Sequence, residues 1–326
     1  MATASPSSSS SSSSFITTTV RDLGNLQQLS KKEKAFLTEG IKDKKLFPPL
    51  PTPDEDAWLS SHTETQQSHA AWSRKFQSVV TAASQNNKIC LVPLGDEWTE
   101  SEVDIDKSTR KESFLSLLQR FAAAFFTGYQ VVVLPSVSIN KLKCKTRRHC
   151  GHLQLFIPDV YKYLQSKWPR GAFCVVGITM IDLYPNESWN FVFGQANPGA
   201  GVGVFSFARY DPLFHEHHSV ANKSPCTSTL VLWRSCKVVM THEISHLFCL
   251  KHCVYFSCAM NGSNHLEESN RRPMFTCPVC LNKLKSCLGF DIRKRYQALL
   301  EFCQSVQDEN FAEACVWLEN AIEKLS

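Results

Sequence analysis

Between Thr241 and Cys280 the chain concentrates side chains that bind metals and move protons: His242, Glu243, His246, His252, Cys253, Cys258, Met260, Cys277 and Cys280. On a helix, His242 and His246 project from one face, four residues apart, where two imidazoles can share a tetrahedral metal. Glu243 then stands beside them within reach of a water on that metal, the geometry that general-base hydrolysis needs. This short motif also arises by chance on helices that carry surface His and Glu, so its surroundings must decide. His252 supplies a third candidate ligand six residues after His246, which requires the helix to stop and the chain to swing back under the metal. Met260, eight residues further on, is placed to floor a three-histidine site with its thioether.

The cysteines form a second set. Cys253 directly follows the third histidine, Cys258 stands two residues before Met260, and Cys277 and Cys280 bracket Pro278-Val279 in a C-x-x-C. Four thiolates at about 2.3 Å close the tetrahedron around zinc and leave no position open, so this set predicts a structural site beside a catalytic one, two Zn²⁺ per chain. The run from His242 to Cys253, followed by Cys-x-Met and Cys-x-x-Cys, resembles the archaemetzincins, zinc metallopeptidases of the metzincin clan. The stretch from Asn261 to Pro273, with Leu266, Glu267, Glu268 and Arg271-Arg272-Pro273, is similar to their vertebrate branch. The resemblance implies peptide or protein substrates and an aminopeptidase-like activity on short peptides. One position departs from the family: Cys249 stands where glycine is expected. The helix should end there in a left-handed conformation, which costs a residue with a Cβ about 1 to 2 kcal/mol.

The elements that must position these residues come from patterning in a chain of 326 residues, 43% hydrophobic, long enough for one substantial domain or two modest ones. Strands are expected at Ile89–Pro93, Val131–Leu134 and Phe173–Asp182, alternating with helices at Ser68–Ala83, Glu112–Phe126 and Leu153–Lys167. Trp189–Phe193 and Val202–Tyr210 flank a Gly/Asn/Pro turn as a candidate hairpin, with Gly203–Ala208 the candidate sheet edge for substrate. Leu230–Leu247 is expected as one long metal-bearing helix, and Asp291–Gln304 and Asn310–Lys324 as closing helices. The fold class is α/β (α+β): a metzincin-like zincin, with a twisted mixed sheet and packed helices above the cleft and a helical, zinc-stapled C-terminal subdomain. Its units are 1–30, a disordered Ser-rich tail; 31–67, an N-terminal extension and Pro-rich linker with a short helix at best; 68–252, the upper subdomain with the metal helix; and 253–326, the lower subdomain.

Composition bounds the partners. A formal charge of +5 is mild for this length and argues for neither nucleic acid nor membrane, and no apolar run reaches the span of a bilayer. The polar opening from Met1 to Ser14 carries no signal-peptide pattern, which predicts reduced thiols for the 14 cysteines and an intracellular place, cytoplasmic or nuclear. A monomer is expected. The basic stretch from Lys141 to Arg148, with Cys144, Cys150, His149 and His152, matches no familiar zinc spacing and reads as a solvated loop. His215, His217 and His218 also read as loop.

The chemistry expected is peptide hydrolysis: the metal lowers its water's pKa towards about 7 and Glu243 takes the proton. Two other classes compete. In a pseudo-protease or peptide-binding protein, Cys249 has spoiled the bend, although Glu243 would then be without use. In a zinc-stapled adaptor the cysteine half would carry function, but no aromatic platform is interleaved there.

Overall fold

The computed structural model describes residues 19–80, 86–96, 98, 102–105, 110–214 and 228–326. The serine run from Pro6 to Ser14 and the histidines 215, 217 and 218 lie outside them. The central sheet has five strands, Lys88–Leu94 (β1), Gln130–Val133 (β2), Ala172–Thr179 (β3), Gly194–Asn197 (β4) and Val202–Ser206 (β5), in the order β2-β1-β3-β5-β4. The first four in that order are parallel and β4 runs antiparallel to β5. Because side chains alternate across a strand, the sheet feeds two apolar layers. Ile89, Leu91, Cys174, Val176 and Ile178 join the large core that also holds the C-terminal helices. Cys90, Val92, Val175, Val202 and Val204 face a smaller one with Val160 and Leu164 of the helix Ile157–Ser166.

Several expectations are corrected here. The sheet edge is β4, not Gly203–Ala208, because β5 is enclosed between β3 and β4 and is buried throughout. The hairpin partner is accordingly Gly194–Asn197 and not Trp189–Phe193. The Lys141–His152 stretch is no loop: it holds a helical turn, Ile139–Leu142, and the strand Thr146–His149 paired with His152–Phe156, with Cys150 at φ 48 in the turn. The following helix therefore starts at Ile157 and not at Leu153.

The N-terminal segments are also more ordered than composition suggests. Residues from Thr19 to Ser30, grouped with the tail above, are packed: Leu23 is fully buried and its carbonyl accepts from Asn282 Nδ2, while Asp22 accepts from Tyr255 Oη. Ser30 and Glu33 form a capping box that starts a ten-residue helix, Lys31–Gly40, and Phe36 and Leu37 on its inner face are buried. The prolines that follow run as a strap over residues 256–272, with Pro49 bridged to Phe256 and Asp54 paired with Arg271. At the far side Gly128, φ 106, lies so close to the Leu288 carbonyl that a Cβ would stand 2.1 Å from it.

Glu33 ties the first helix to the last third of the chain. Its carboxylate accepts from Lys285 Nζ at 2.7 Å, Ile292 N at 3.1 Å and the Ser30 backbone N–H at 3.0 Å. Burial pushes its pKa up, but Lys285 and the backbone donors outweigh that and leave it lowered from 4.5. A lowered folded-state pKa contributes stability that is full above the unfolded value and lost as pH falls through the folded one. Glu33→Gln is therefore expected to lower unfolding free energy by about 1 to 3 kcal/mol at pH 7. In urea titrations at stepped pH, that difference should shrink below pH 4.5. A difference that stays constant down to the acid transition would refute the assignment.

Candidate functional site

The helix that carries His242 and His246 runs from Thr229 to Leu247, but it is not the single α-helix expected. Thr229–Ser235 and Ile244–Leu247 are α-helical, and Cys236–Glu243 between them takes the wider i→i+5 register. Two hydroxyls occupy helix carbonyls there, Thr241 Oγ1 on Lys237 O and Ser245 Oγ on Thr241 O, an arrangement that loosens the regular ladder. Leu230 and Trp233 are half-buried, while Val231 and Leu232 take the inner face.

The helix ends in a Schellman motif: Cys249 N donates to His246 O at 2.8 Å and Leu250 N to Ser245 O at 3.3 Å. Cys249 occupies the left-handed position, φ 63, that this motif reserves for glycine. The turn it makes carries His252 back to the helix.

The three imidazoles meet at one point. Ring centroids are 4.6 Å apart for His242 and His246, 5.3 Å for His242 and His252, and 5.1 Å for His246 and His252. One ring nitrogen of each lies within 4.8 Å of the others. The outer nitrogens are committed elsewhere: His242 Nδ1 to Ala259 O at 2.8 Å, His246 Nδ1 to Leu250 O at 2.6 Å, His252 Nδ1 to Glu64 Oε1 at 2.7 Å. Carbonyl and carboxylate oxygens only accept, so each Nδ1 carries the proton and each Nε2 presents a lone pair inward. Arg272 Nη1 also approaches His242 Nδ1, at 3.0 Å, but its shorter bond, 2.6 Å, goes to Asn261 O. We therefore assign the Nδ1 proton to Ala259.

Burial first, and for His242 then Arg272, holds the histidines in their neutral form: His242 is well below its ordinary range, His246 is down to about 4 and His252 is lowered. His242 and His246 Nε2 are 3.0 Å apart. Tetrahedral zinc with nitrogens at about 2.0 to 2.1 Å would separate them by about 3.3 Å, so the donor set fits such an ion.

Glu243 is partly exposed beside this cluster, and burial lifts its carboxyl to about 7 against the opposing pull of Arg272. Arg272 itself is 6% exposed, held by Asn261 O and the hydroxyl of Ser269.

Sulfurs of Cys253, Cys258, Cys277 and Cys280, all buried, gather within 4.8 Å of one another. Cys253 and Cys277 Sγ are 3.6 Å apart, too far for a disulfide and near the roughly 3.8 Å edge of a zinc–thiolate tetrahedron. Hydrogen bonds from Cys258, Cys277 and Cys280 pull the Cys253 thiol well below its usual range, while burial drives Cys258 and Cys277 well above it. Backbone N–H groups of Met260 and Cys277 already point at Cys258 Sγ, at 3.4 and 3.2 Å. Cys249 belongs to neither donor cluster. Met260 is fully buried in the turn that links the two, its carbonyl accepting from Cys253 N at 2.8 Å.

His246 and His252 open on a cleft of about 420 Å³ lined also by Glu64, Gln67, Lys75, the bend 249–252, Ala196 of the edge strand and Pro198 just after it. Motif reading missed Glu64, Gln67 and the role of Arg272. No local pattern marks the first two, and in the sequence Arg272 stands out only as part of the family-like stretch Asn261–Pro273.

The sequence matches Peptidase family M54 over residues 155–286. Archaemetzincin-2 of Mus musculus is 36% identical over 310 residues, 88% of this chain and 83% of its own. Archaemetzincin-2 of Homo sapiens is 36% identical over 306 residues, 87% and 81%. A solved archaemetzincin from Methanopyrus kandleri is 25% identical, with TM-score 0.44, covering 64% of this chain and 98% of its own. Likeness of this degree along most of the chain places it in the archaemetzincins, Peptidase family M54, and makes it a metalloprotease.

Proposed function

We propose that this chain hydrolyses peptide bonds at a zinc ion held by Nε2 of His242, His246 and His252, with Glu243 as general base, and that a second, structural zinc joins Cys253, Cys258, Cys277 and Cys280. The observation that carries the reading is the convergence of three neutral imidazoles, each with its Nδ1 proton already given to another acceptor. Zinc bound there would acidify a water and polarise the scissile carbonyl. Glu243, whose carboxyl burial raises to about 7, would accept a proton from water and return it to the leaving amine. Arg272 favours the carboxylate form by charge. The free side of β4 accepts the substrate backbone as an added strand beside the histidines. Met260 floors the histidine cluster.

Aminopeptidase-like cleavage of short peptides is the finer reading. It rests on the family resemblance and on a cleft whose volume suits a few residues. Comparing free with N-acetylated peptides tests it. Equal turnover of the two would make the enzyme an endopeptidase.

One observation supports a weakened enzyme as the second reading: the left-handed Cys249. Cys249→Gly should relieve about 1 to 2 kcal/mol of strain, less the entropy of a freer unfolded chain, and so bind zinc several-fold tighter and raise kcat/KM. Unchanged or lower values would show that the bend accepts cysteine without loss.

For the base, Glu243→Ala is expected to keep both metals and lose about 10²-fold to 10⁴-fold in turnover. Peptide hydrolysis at the parent rate by the metal-loaded variant would remove Glu243 from the mechanism. For the knot, Cys277→Ser with Cys280→Ser should release one metal per chain, lower stability and weaken the histidine site, since Cys253 adjoins His252 and is hydrogen-bonded to Met260. Parent stability and parent affinity at the histidine site would separate the two sites.

A further inference from the structure

The bend that delivers the third histidine is held from far away in the chain. Residues 248–252 follow the last helical turn, so their carbonyls and the N–H of Lys251 lie beyond its ladder. Side chains between Glu64 and Trp72 take up three of these backbone groups and the outer nitrogen of His252. Trp72 Nε1 donates to Phe248 O at 2.8 Å. Gln67 closes on the left-handed residue from both sides, Nε2 donating to Cys249 O at 3.0 Å and Oε1 accepting from Lys251 N at 3.1 Å. Glu64 Oε1 accepts from His252 Nδ1 at 2.7 Å and from Trp58 Nε1 at 2.9 Å, and the Trp58 ring meets His252 edge-on at 5.0 Å.

The clamp is itself anchored. Gln67 is 7% exposed, and Lys283, on the helix that begins beside Cys277, donates to both its backbone and its side-chain oxygen. Trp58 N donates to Glu268 Oε1 at 2.9 Å.

We infer that Glu64 and Gln67 are positioning residues of the hydrolytic site: Gln67 holds the left-handed bend at Cys249, and Glu64 fixes the orientation and tautomer of His252 so that its Nε2 faces the metal. This rests on the reading of His242, His246 and His252 as metal ligands. It makes residues 57–67, which lie outside the matched stretch 155–286, a working part of the site and not a linker. A carboxylate on the outer nitrogen of a ligand histidine raises its basicity as well as aiming it, and loss of such a partner typically weakens metal binding by about 10-fold to 100-fold.

The test uses the full chain loaded with zinc or cobalt(II), with histidine-site affinity read by chelator competition, the cobalt(II) visible spectrum recorded, and cysteine-site metal retention serving as the folding control. Glu64→Ala and Gln67→Ala should each weaken the histidine site about 10-fold to 100-fold and shift its cobalt bands while leaving the cysteine-site metal in place. Glu64→Gln should recover most of the loss, because its Oε1 still accepts from Nδ1, an outcome that a merely structural role would not single out. In a Cys249→Gly background the loss from Gln67→Ala should shrink, since glycine needs no brace there. His246→Ala separates the two levels. If it removes the histidine-site metal while Glu64→Ala and Gln67→Ala keep the parent affinity and spectrum, the positioning roles are wrong and the zinc reading stands. If His246→Ala changes no metal binding, both fall. Should Glu64→Ala also lose the cysteine-site metal, it has unfolded and Gln67→Ala decides alone.

Discussion

Three imidazole lone pairs pointing at one another inside a protein repel unless a cation sits between them, and everything around this site serves to keep them so placed. Each outer nitrogen needs an acceptor, and each acceptor comes from a different segment: Ala259 from the Met260 turn, Leu250 from the bend, Glu64 from the N-terminal strap. The site therefore cannot form from the helix alone. The Met260 turn is held in its turn by the cysteine region: Ala259 N donates to Phe275 O at 2.8 Å, and Asn261 Nδ2 to the carbonyls of Cys253 and Phe256. The region that carries the four cysteines thus aims His242, and it is joined directly to His252 through Cys253.

Charge follows the same geometry. Arg272 is a buried cation whose hydrogen bonds go to neutral oxygens, an arrangement that is costly unless an anion stands close. Glu243 is the carboxylate whose charge it feels most. Burial pushes the Glu243 carboxyl up and Arg272 pulls it down, which leaves it at about 7. The same guanidinium, at 3.0 Å from His242, disfavours an imidazolium there.

The two clusters of candidate ligands were legible because their spacing is local. Four residues on a helix, six through a bend and two C-x-M or C-x-x-C steps each encode a short path, and the structure gathers those seven donors into two clusters. The supports were not legible, for Glu64 is 188 positions from His252 and Gln67 is 182 from Cys249, and a Glu or Gln in a polar stretch carries no sign of such a role. Strand periodicity found three strands of the mixed central sheet, where runs such as Ala172–Thr179 are apolar on both faces. It misplaced the edge because Gly194–Asn197 has weak strand propensity and is set by pairing with Val202–Phe205, while the aromatic run just before it imitates a strand. The i→i+5 register escaped for a related reason: it depends on where the Thr241 and Ser245 hydroxyls turn, which composition does not show.

Cys249 and the strap are then two sides of one feature. A residue with a Cβ holds a left-handed conformation only where its surroundings over-determine the backbone. Here the carbonyl before Cys249, its own carbonyl and the N–H of Lys251 are each held by Trp72 or Gln67, and Gln67 is gripped by the buried ammonium of Lys283. Glycine at that position would adopt the turn from its own freedom and leave such bracing with less to do. The bracing also reaches the histidine cluster directly, because the segment that carries Gln67 carries Glu64 three residues earlier, on the ring of His252. A bend fixed by its neighbours instead of by its own residue type makes the placement of His252 answerable to the N-terminal segment, and a chain that departs from the glycine can in this way keep the geometry that the glycine would have supplied.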